Sequence, residues 1–316
     1  MQIINNTTEI KKLKLPLAIA LGNFDGVHKG HQALLHQCIT ESKQNGWPSA
    51  VLLWHPHPAQ VLRSTQQQQI KYLNSLEQKY ELIKAIGIQY LISLPFCRKI
   101  AALSPQEFVQ EYLVNLCKVK KAFVGFNYSF GHKGFGTPEL LKELGEQYGF
   151  MLSITKPVII EGQIVSSTLI RQKYQAGDMA GAAMLLGYYP TISGKIVPGE
   201  RRGREMGYPT ANIEISSLQA LPCFGVYAAF AEYKNQFVPA IANIGDNPTF
   251  NSKNVTVEVH LLNFKGDIYQ ESLKTFLLKK IRSEQKFRSK EDLQTQIGLD
   301  ILTAQKILTE NNFKLV

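Results

Sequence analysis

Cysteine is scarce in this 316-residue sequence: Cys38, Cys97, Cys117 and Cys223 stand far apart, with no CxxC pair and no Cys/His metal spacing. That excludes a disulfide framework and a structural zinc, and it fits a reducing cytoplasm. No apolar run approaches the roughly 20 residues a membrane-spanning helix needs. Neither GxxxxGK[ST] nor GxGxxG occurs, so both common phosphate-loop signatures are missing. No internal repeat is visible, and the only low-complexity patch, Gln66 to Gln69, reads as a loop insert. Charged residues make up 19% and hydrophobic residues 44%, with 23 Gly and 14 Pro, which rules out disordered, collagen-like and coiled-coil chains. The length suits two domains better than one core.

Acidic residues are the minority charge. Lys plus Arg number 35 against 25 Asp plus Glu, a balance of +10. Such a chain favours anionic partners: nucleic acid, a membrane surface or a small phosphorylated molecule. The basic residues are scattered, and the longest cluster is Arg201-Arg202-Gly203-Arg204. Without a polybasic stripe, neither nucleic acid nor membrane is the expected partner.

Residues 1–187 alternate short apolar runs with amphipathic helical patterns. Leu17 to Leu21, Ala50 to Trp54, Ile88 to Leu94 and Ala122 to Gly125 read as strands. Helices lie between them, stopped by Gly46, Gly87 and Gly149 and opened by Asn74-Ser75-Leu76-Glu77, Ser104-Pro105-Gln106-Glu107 and Thr137-Pro138-Glu139. This alternation predicts βαβ units and a parallel sheet covered on both faces. Lys11, Lys12 and Lys14 before Leu15 to Leu21, with Ala18-x-Ala20, mimic a short signal peptide. A buried first strand running into a glycine turn is the preferred reading.

A short helical run, Ala180 to Leu186, precedes the expected domain join, and residues 188–316 follow a different pattern. Thr191 to Val197, Gly225 to Tyr233, Gln236 to Ile244 and Val255 to Leu262 are strand-like, with Lys234-Asn235 at a hairpin turn. Val255, Val257 and Val259 alternate with Thr256, Glu258 and His260, a period of two with one polar face. Ser289-Lys290-Glu291-Asp292 then caps a helix carrying Leu293, Ile297, Ile301 and Leu308. The prediction is a small antiparallel barrel with a terminal helix packed on it.

Gly22-Asn23-Phe24-Asp25-Gly26-Val27-His28-Lys29-Gly30-His31 follows the first strand and leads into a helix. In an open α/β sheet ligands bind at the carboxyl ends of strands, where a helix N-terminus offers free N–H groups to an anion. Gly22, Gly26 and Gly30 let backbone approach phosphates closely. His28 and His31, three apart, project to one side of a first helical turn and are placed to donate hydrogen bonds beside a triphosphate. A metal pair and two ordinary surface histidines are the competing readings.

This string resembles the HxGH-type loop of the nucleotidyltransferases, and the form with FDG before it resembles bacterial FAD synthetases. The resemblance assigns nucleotide contacts to Gly22, Asn23, Phe24, Asp25, Gly26 and Gly30. Val165-Ser166-Ser167-Thr168-Leu169-Ile170-Arg171 resembles that family's SSTxIR segment, so Ser167, Thr168 and Arg171 are expected on the ATP phosphates. Gly125-Phe126-Asn127-Tyr128-Ser129-Phe130-Gly131 resembles its loop after a core strand, which gives Asn127 a substrate contact. Two departures stand out: His55, in Trp54-His55-Pro56-His57-Pro58, occupies a position where the family has a carboxylate, and the loop at Gly134 lacks an Arg.

Gly199-Glu200-Arg201-Arg202-Gly203-Arg204-Glu205-Met206-Gly207-Tyr208-Pro209-Thr210-Ala211-Asn212 resembles the riboflavin kinase signature. The resemblance implies nucleotide contacts from Gly199, Gly203, Arg204 and Pro209, and Mg²⁺ and nucleotide contacts from Thr210 and Asn212, oxygen donors suited to a hard cation. Phe224 to Tyr227, Asn243 to Phe250 and Glu258-Val259-His260-Leu261-Leu262 resemble further kinase segments in order, with Glu258 as general base. Gln270 replaces a frequent Gly, a change expected to be neutral. The implied chain is a bifunctional riboflavin kinase/FAD synthetase in two domains. Residues 1–187 form a nucleotidyltransferase-like parallel sheet with flanking helices, and residues 188–316 form an antiparallel β-barrel with a terminal helix. Riboflavin, FMN and ATP would be its small-molecule partners and Mg²⁺ its cofactor.

Overall fold

The computed structural model describes residues 1–62, 70–199, 203, 206–249, 252–264, 266, 268 and 270–310. The glutamine tract at 66–69 and Arg204 lie outside these. The chain divides into two compact units, Met1–Ser167 and Thr168–Val316.

The first unit is built on six parallel strands: β1 (Gln2–Ile4), β2 (Leu17–Leu21), β3 (Ser49–His55), β4 (Tyr90–Pro95), β5 (Val119–Gly125) and β6 (Met151–Thr155). Their order is β1-β4-β3-β2-β5-β6, which puts β2 inside the sheet between β3 and β5. All five residues of β2 are buried, and they alternate between two cores. Leu17, Ile19 and Leu21 pack on one face, Ala18 and Ala20 on the other. The segment that mimics a signal peptide is therefore a central strand covered on both sides, as a parallel sheet requires.

Helices connect the strands where the punctuation places them. Helix α1 (Lys29–Asn45) stops at Gly46, and α2 (Leu76–Ile86) stops at Gly87, both glycines in the left-handed conformation. The capping box of α2 sits one residue later than the expected spacing: Ser75 accepts from Gln78 N–H and the Gln78 side chain answers, while Asn74 is buried before the helix. Ser104 and Glu107 form the second box, on Pro105–Phe108, which widens into π-type turns over Val109–Leu116. Thr137 caps α3 (Pro138–Tyr148) with Pro at its start.

The second unit opens with α4 (Ser167–Ala176), whose first residue belongs to the first unit, and α5 (Met179–Leu186). Then come β7 (Thr191–Val197), β8 (Ala211–Ile213), β9 (Gly225–Tyr233), β10 (Gln236–Thr249), β11 (Ser252–Leu261), β12 (Ser272–Arg282) and α6 (Lys290–Glu310). The strands close into a barrel in the order β8-β11-β10-β9-β12-β7, all pairs antiparallel. Lys234 and Asn235 both take positive φ, the tight turn expected between β9 and β10. Ala211, Val259, Ala242 and Tyr227 lie side by side in register and are buried inside the barrel. The opposite parity points outward, where Val226, Ala228, Ile241, Phe276 and Leu278 pack against Ala304, Ile307 and Leu308 of α6. Arg282 anchors that helix through a forked ion pair: its Nε and Nη2 reach the buried Asp300 carboxylate at 2.9 Å.

Candidate active sites

The first site forms where β2 ends. Phe24 (φ 49°), Gly26 (φ 83°) and Val27 (φ 36°) all take left-handed backbone conformations. For a β-branched residue such as Val27 this is strained, at roughly 1–3 kcal/mol, and it persists only where surroundings fix it. The fixings are visible. Phe24 and Val27 are fully buried, Asp25 Oδ1 accepts from Leu73 N–H at 3.0 Å, and Ser167 Oγ donates to the Asp25 carbonyl at 2.8 Å. Gln32 Nε2 donates to the Val27 carbonyl at 2.8 Å. Gly22 and Asn23 lead into the turn, and Gly30 lies on the first turn of α1.

His28 is the N-cap of α1 rather than a member of its first turn. Its backbone is extended, and Nδ1 accepts from His31 N–H at 3.3 Å. The two rings stack with centroids 3.6 Å apart and 14° between planes. Accepting at Nδ1 leaves the proton of a neutral His28 on Nε2. Burial brings His28 down to about 4, and burial together with the His28 and Lys79 charges holds His31 well below the ordinary imidazole range. At neutral pH both rings are uncharged, and His31 Nδ1 is buried without a partner among the described residues. The pair is polar, and it sits at a helix N-terminus.

Two of the expected neighbours, Asn127 and Ser167, are at this end of the sheet. Asn127 lies just past β5, the strand beside β2, in a turn closed by Tyr128 N–H to the Gly125 carbonyl at 3.1 Å. Ser167 touches the loop through Asp25, as above. Thr168 and Arg171 stand on α4, the first exposed and the second half-buried. His55, one of the departures, ends β3 on the other side of β2 and is exposed. Gly134, the other, lies in the turn His132–Gly134. Sequence reasoning missed Lys79 of α2, whose Nζ donates to the Asn23 carbonyl at 2.9 Å. A lysine inside an amphipathic helix reads as solvated, and nothing in its spacing ties it to a loop 56 residues away.

The second site runs along the outer face of the barrel. Asn212 on β8 is directly opposite Glu258 on β11, which is directly opposite Asn243 on β10. Residues so paired share one face with their Cβ atoms about 5 Å apart. Thr210 Oγ1 donates a long hydrogen bond to Glu258 Oε2, 3.5 Å. His260, two residues on and therefore on the same face, holds the Pro209 carbonyl with Nδ1 at 2.8 Å and meets the Tyr208 ring edge-on. Gly199 and Gly203, before PTAN, lie tightly against these groups. A Cβ on Gly199 would overlap the Asn212 amide, and one on Gly203 would overlap the Tyr208 carbonyl and lie 3.3 Å from Thr210 Oγ1. Both glycines are there because backbone must lie against the polar side chains. Neither Asn243 nor His260 carried an assigned role in the sequence reading, since only strand register brings them beside Glu258 and Pro209.

Residues 10–169 match the family model described as FAD synthetase, and residues 186–308 the one described as riboflavin kinase. The curated bifunctional riboflavin kinase/FMN adenylyltransferase of Escherichia coli strain K12 is 37% identical over 289 residues, 91% of each chain. The protein of that name from Bacillus subtilis strain 168 is 34% identical over 295 residues, 92% of each. A solved structure named a macrolide-efflux protein from Streptococcus pneumoniae covers 99% of both chains with a TM-score of 0.86 and 30% identity. Among the described residues of this chain, no helix is long and apolar enough to cross a membrane. Both family models, in order and each over its own site, together with relatives alike from end to end, place the chain in the bifunctional riboflavin kinase/FMN adenylyltransferase family.

Proposed function

We propose that the two sites divide the chemistry as follows. The barrel phosphorylates riboflavin with ATP to give FMN and ADP, and the parallel-sheet unit joins FMN to the AMP part of ATP, giving FAD and pyrophosphate. The observation that carries the kinase assignment is the juxtaposition of Thr210, Asn212 and Glu258 on one strip of barrel. Glu258 accepts the proton of the ribityl 5′-hydroxyl as that oxygen attacks the γ-phosphorus and the bond to ADP breaks. Thr210 and Asn212 offer neutral oxygen donors, and Gly199 and Gly203 bring backbone close against them. This donor set fits Mg²⁺, which takes few protein oxygens and keeps waters and phosphate oxygens. When bound, the ion would neutralise phosphate charge. Pro209, fixed by His260, sets the angle at which Thr210 and Asn212 are presented, and Arg204 is assigned to the nucleotide phosphates.

In the first unit an FMN phosphate oxygen attacks the α-phosphorus of ATP and pyrophosphate leaves. His28 Nε2–H and His31 stabilise the charge that builds on the phosphoryl oxygens, while the turn at Gly22 to Gly30 supplies backbone N–H groups. Uncharged imidazoles suit this role, because they donate without a proton to lose first. Ser167, Thr168, Arg171 and Asn127 are assigned to ATP and FMN. Residues 1–187 and 188–316 are the functional domains in this reading, with α4 and α5 assigned to the first. Four cysteines without a disulfide support a reducing, cytoplasmic setting.

The test is to incubate the purified chain with riboflavin, ATP and Mg²⁺ and separate flavins by chromatography over time. FMN first and FAD after is the expected order. FMN accumulating without FAD, even when FMN is supplied, would confine activity to the barrel, and no flavin product would overturn the reading.

A further inference from the structure

Lys79 reaches the first site from a distant helix. Its helix, α2, lies between β3 and β4, far in sequence from the glycine loop, yet Nζ reaches back to donate to the Asn23 carbonyl at 2.9 Å. That carbonyl lies at the entry to the strained turn whose next residues are Phe24, Asp25, Gly26 and Val27. The Asp25 carboxylate stabilises the ammonium, and its Oδ1 is fixed by Leu73 N–H. Lys79 also acts on the charge state of His31, and His31 in turn faces the His28 ring at 3.6 Å and the Phe24 ring at 5.2 Å. Lys79, Asp25, His28 and His31 thus form one electrostatic cluster drawn from two elements.

A half-buried ammonium is costly, and an ion pair of this kind is weak grounds for stability by itself. A lysine spent only on holding backbone would be replaceable by any neutral donor of the same length. What a neutral donor lacks is a fixed positive charge beside two imidazoles that must stay unprotonated.

We infer that Lys79 is a positioning residue for adenylyl transfer: through its bond to the Asn23 carbonyl it holds the Asn23–Val27 turn in register with α1. The inference rests on the adenylyltransferase reading of the first unit. Lys79 does nothing to the barrel's reaction, so FMN formation from riboflavin in the same sample is an internal control.

The experiment compares the full chain with Lys79→Met, Lys79→Gln and Lys79→Arg, following FAD formation from supplied FMN and ATP as a function of pH, with FMN formation and thermal unfolding of each variant alongside. The expected result has three parts. Lys79→Met and Lys79→Gln lower kcat for FAD formation about tenfold or more, since one misplaced catalytic turn costs this much. The acid limb of their pH–rate profile moves to higher pH, because His31 takes up a proton more readily without the neighbouring charge. Lys79→Arg, which keeps charge and donor, restores most of the rate and the original acid limb. FMN formation is unchanged in all three.

A merely structural lysine would lower the unfolding temperature and leave the acid limb where it was. That result, or a kcat within twofold of the parent in Lys79→Met, overturns the inference, as does equal damage from Lys79→Arg. His28→Gln run in parallel separates the two levels. If it loses FAD formation while Lys79→Met keeps it, the Lys79 role alone falls; if His28→Gln itself still makes FAD, the adenylyltransferase reading falls and takes Lys79 with it.

Discussion

At the scale of single residues, His28 couples the first site to pH. Its folded value is about 4 against an ordinary 6.5, so between these the unfolded chain holds a proton the folded chain does not. Stability from this group is complete above pH 6.5 and is lost as pH falls toward 4, by on the order of 3 kcal/mol. Thermal melts at pH 7 and pH 4.5 should therefore diverge in the parent and converge in His28→Gln; equal divergence in both would sink the idea. On the barrel, Glu258→Gln keeps the shape and removes the base. It should cut FMN formation by roughly 10²–10⁴-fold, while FAD formation from supplied FMN stays unchanged. Gly199→Ala tests the packed loop. Its Cβ must displace the Asn212 amide, so FMN formation should fall without loss of the barrel fold, measured by circular dichroism beside the flavin assay. The grouping of Asn212, Thr210 and Glu258 could be anticipated because each sits in a distinctive string. Lys79 and His260 were not, because their meaning lies in a partner, the Asn23 or Pro209 carbonyl, that is 56 or 51 residues away.

Among elements, α6 is tied to the barrel by an ion pair as well as by its apolar face. Asp300 is buried, receives Arg282 through two nitrogens and also accepts from Gln296 Nε2 at 2.9 Å. Asp300→Ala would leave the Arg282 guanidinium half-buried without its carboxylate, at a cost of about 3 kcal/mol. Chemical denaturation should show it as a lower midpoint, and a change under about 0.5 kcal/mol, the size usual for a surface site, would contradict it. Helix α6 also abuts the signature loop, with Gln294 Nε2 bonded to the Met206 carbonyl at 3.3 Å, so FMN formation should weaken with it. Strand β2 was legible because burial on both faces demands an unbroken apolar run, and β7 and β9 also occupy the residues expected, but in the barrel β8 and β12 were not read. Two edge strands, β1 and β6, went unread. Each is short and partly exposed, so its sequence needs no such run. The capping box at Ser75 slipped by one because Glu77 and Gln78 both suit the third position, and only the side-chain geometry chooses Gln78.

For the whole molecule, two compact units mean two stabilities. Phe123 is fully buried in the first unit and Leu277 in the barrel. Truncating either to Ala costs about 2–5 kcal/mol, and calorimetry should resolve two transitions, each substitution lowering only its own. A single transition moved equally by both would show one cooperative body. The sheet order also dictates when each site comes into being on the ribosome. Strand β2 cannot be enclosed until β5 is made, and β1 waits for β4; the barrel closes only when β12 pairs with β7. Domains fold in the order they emerge, so the FMN-consuming unit, ending at Ser167, is synthesised about 115 residues before Arg282 completes the barrel of the FMN-producing one. Synthesis assembles the two catalysts in the reverse of the order in which a flavin meets them, and a chain cut short after α5 would carry the residues assigned to FMN use and none of those assigned to making it.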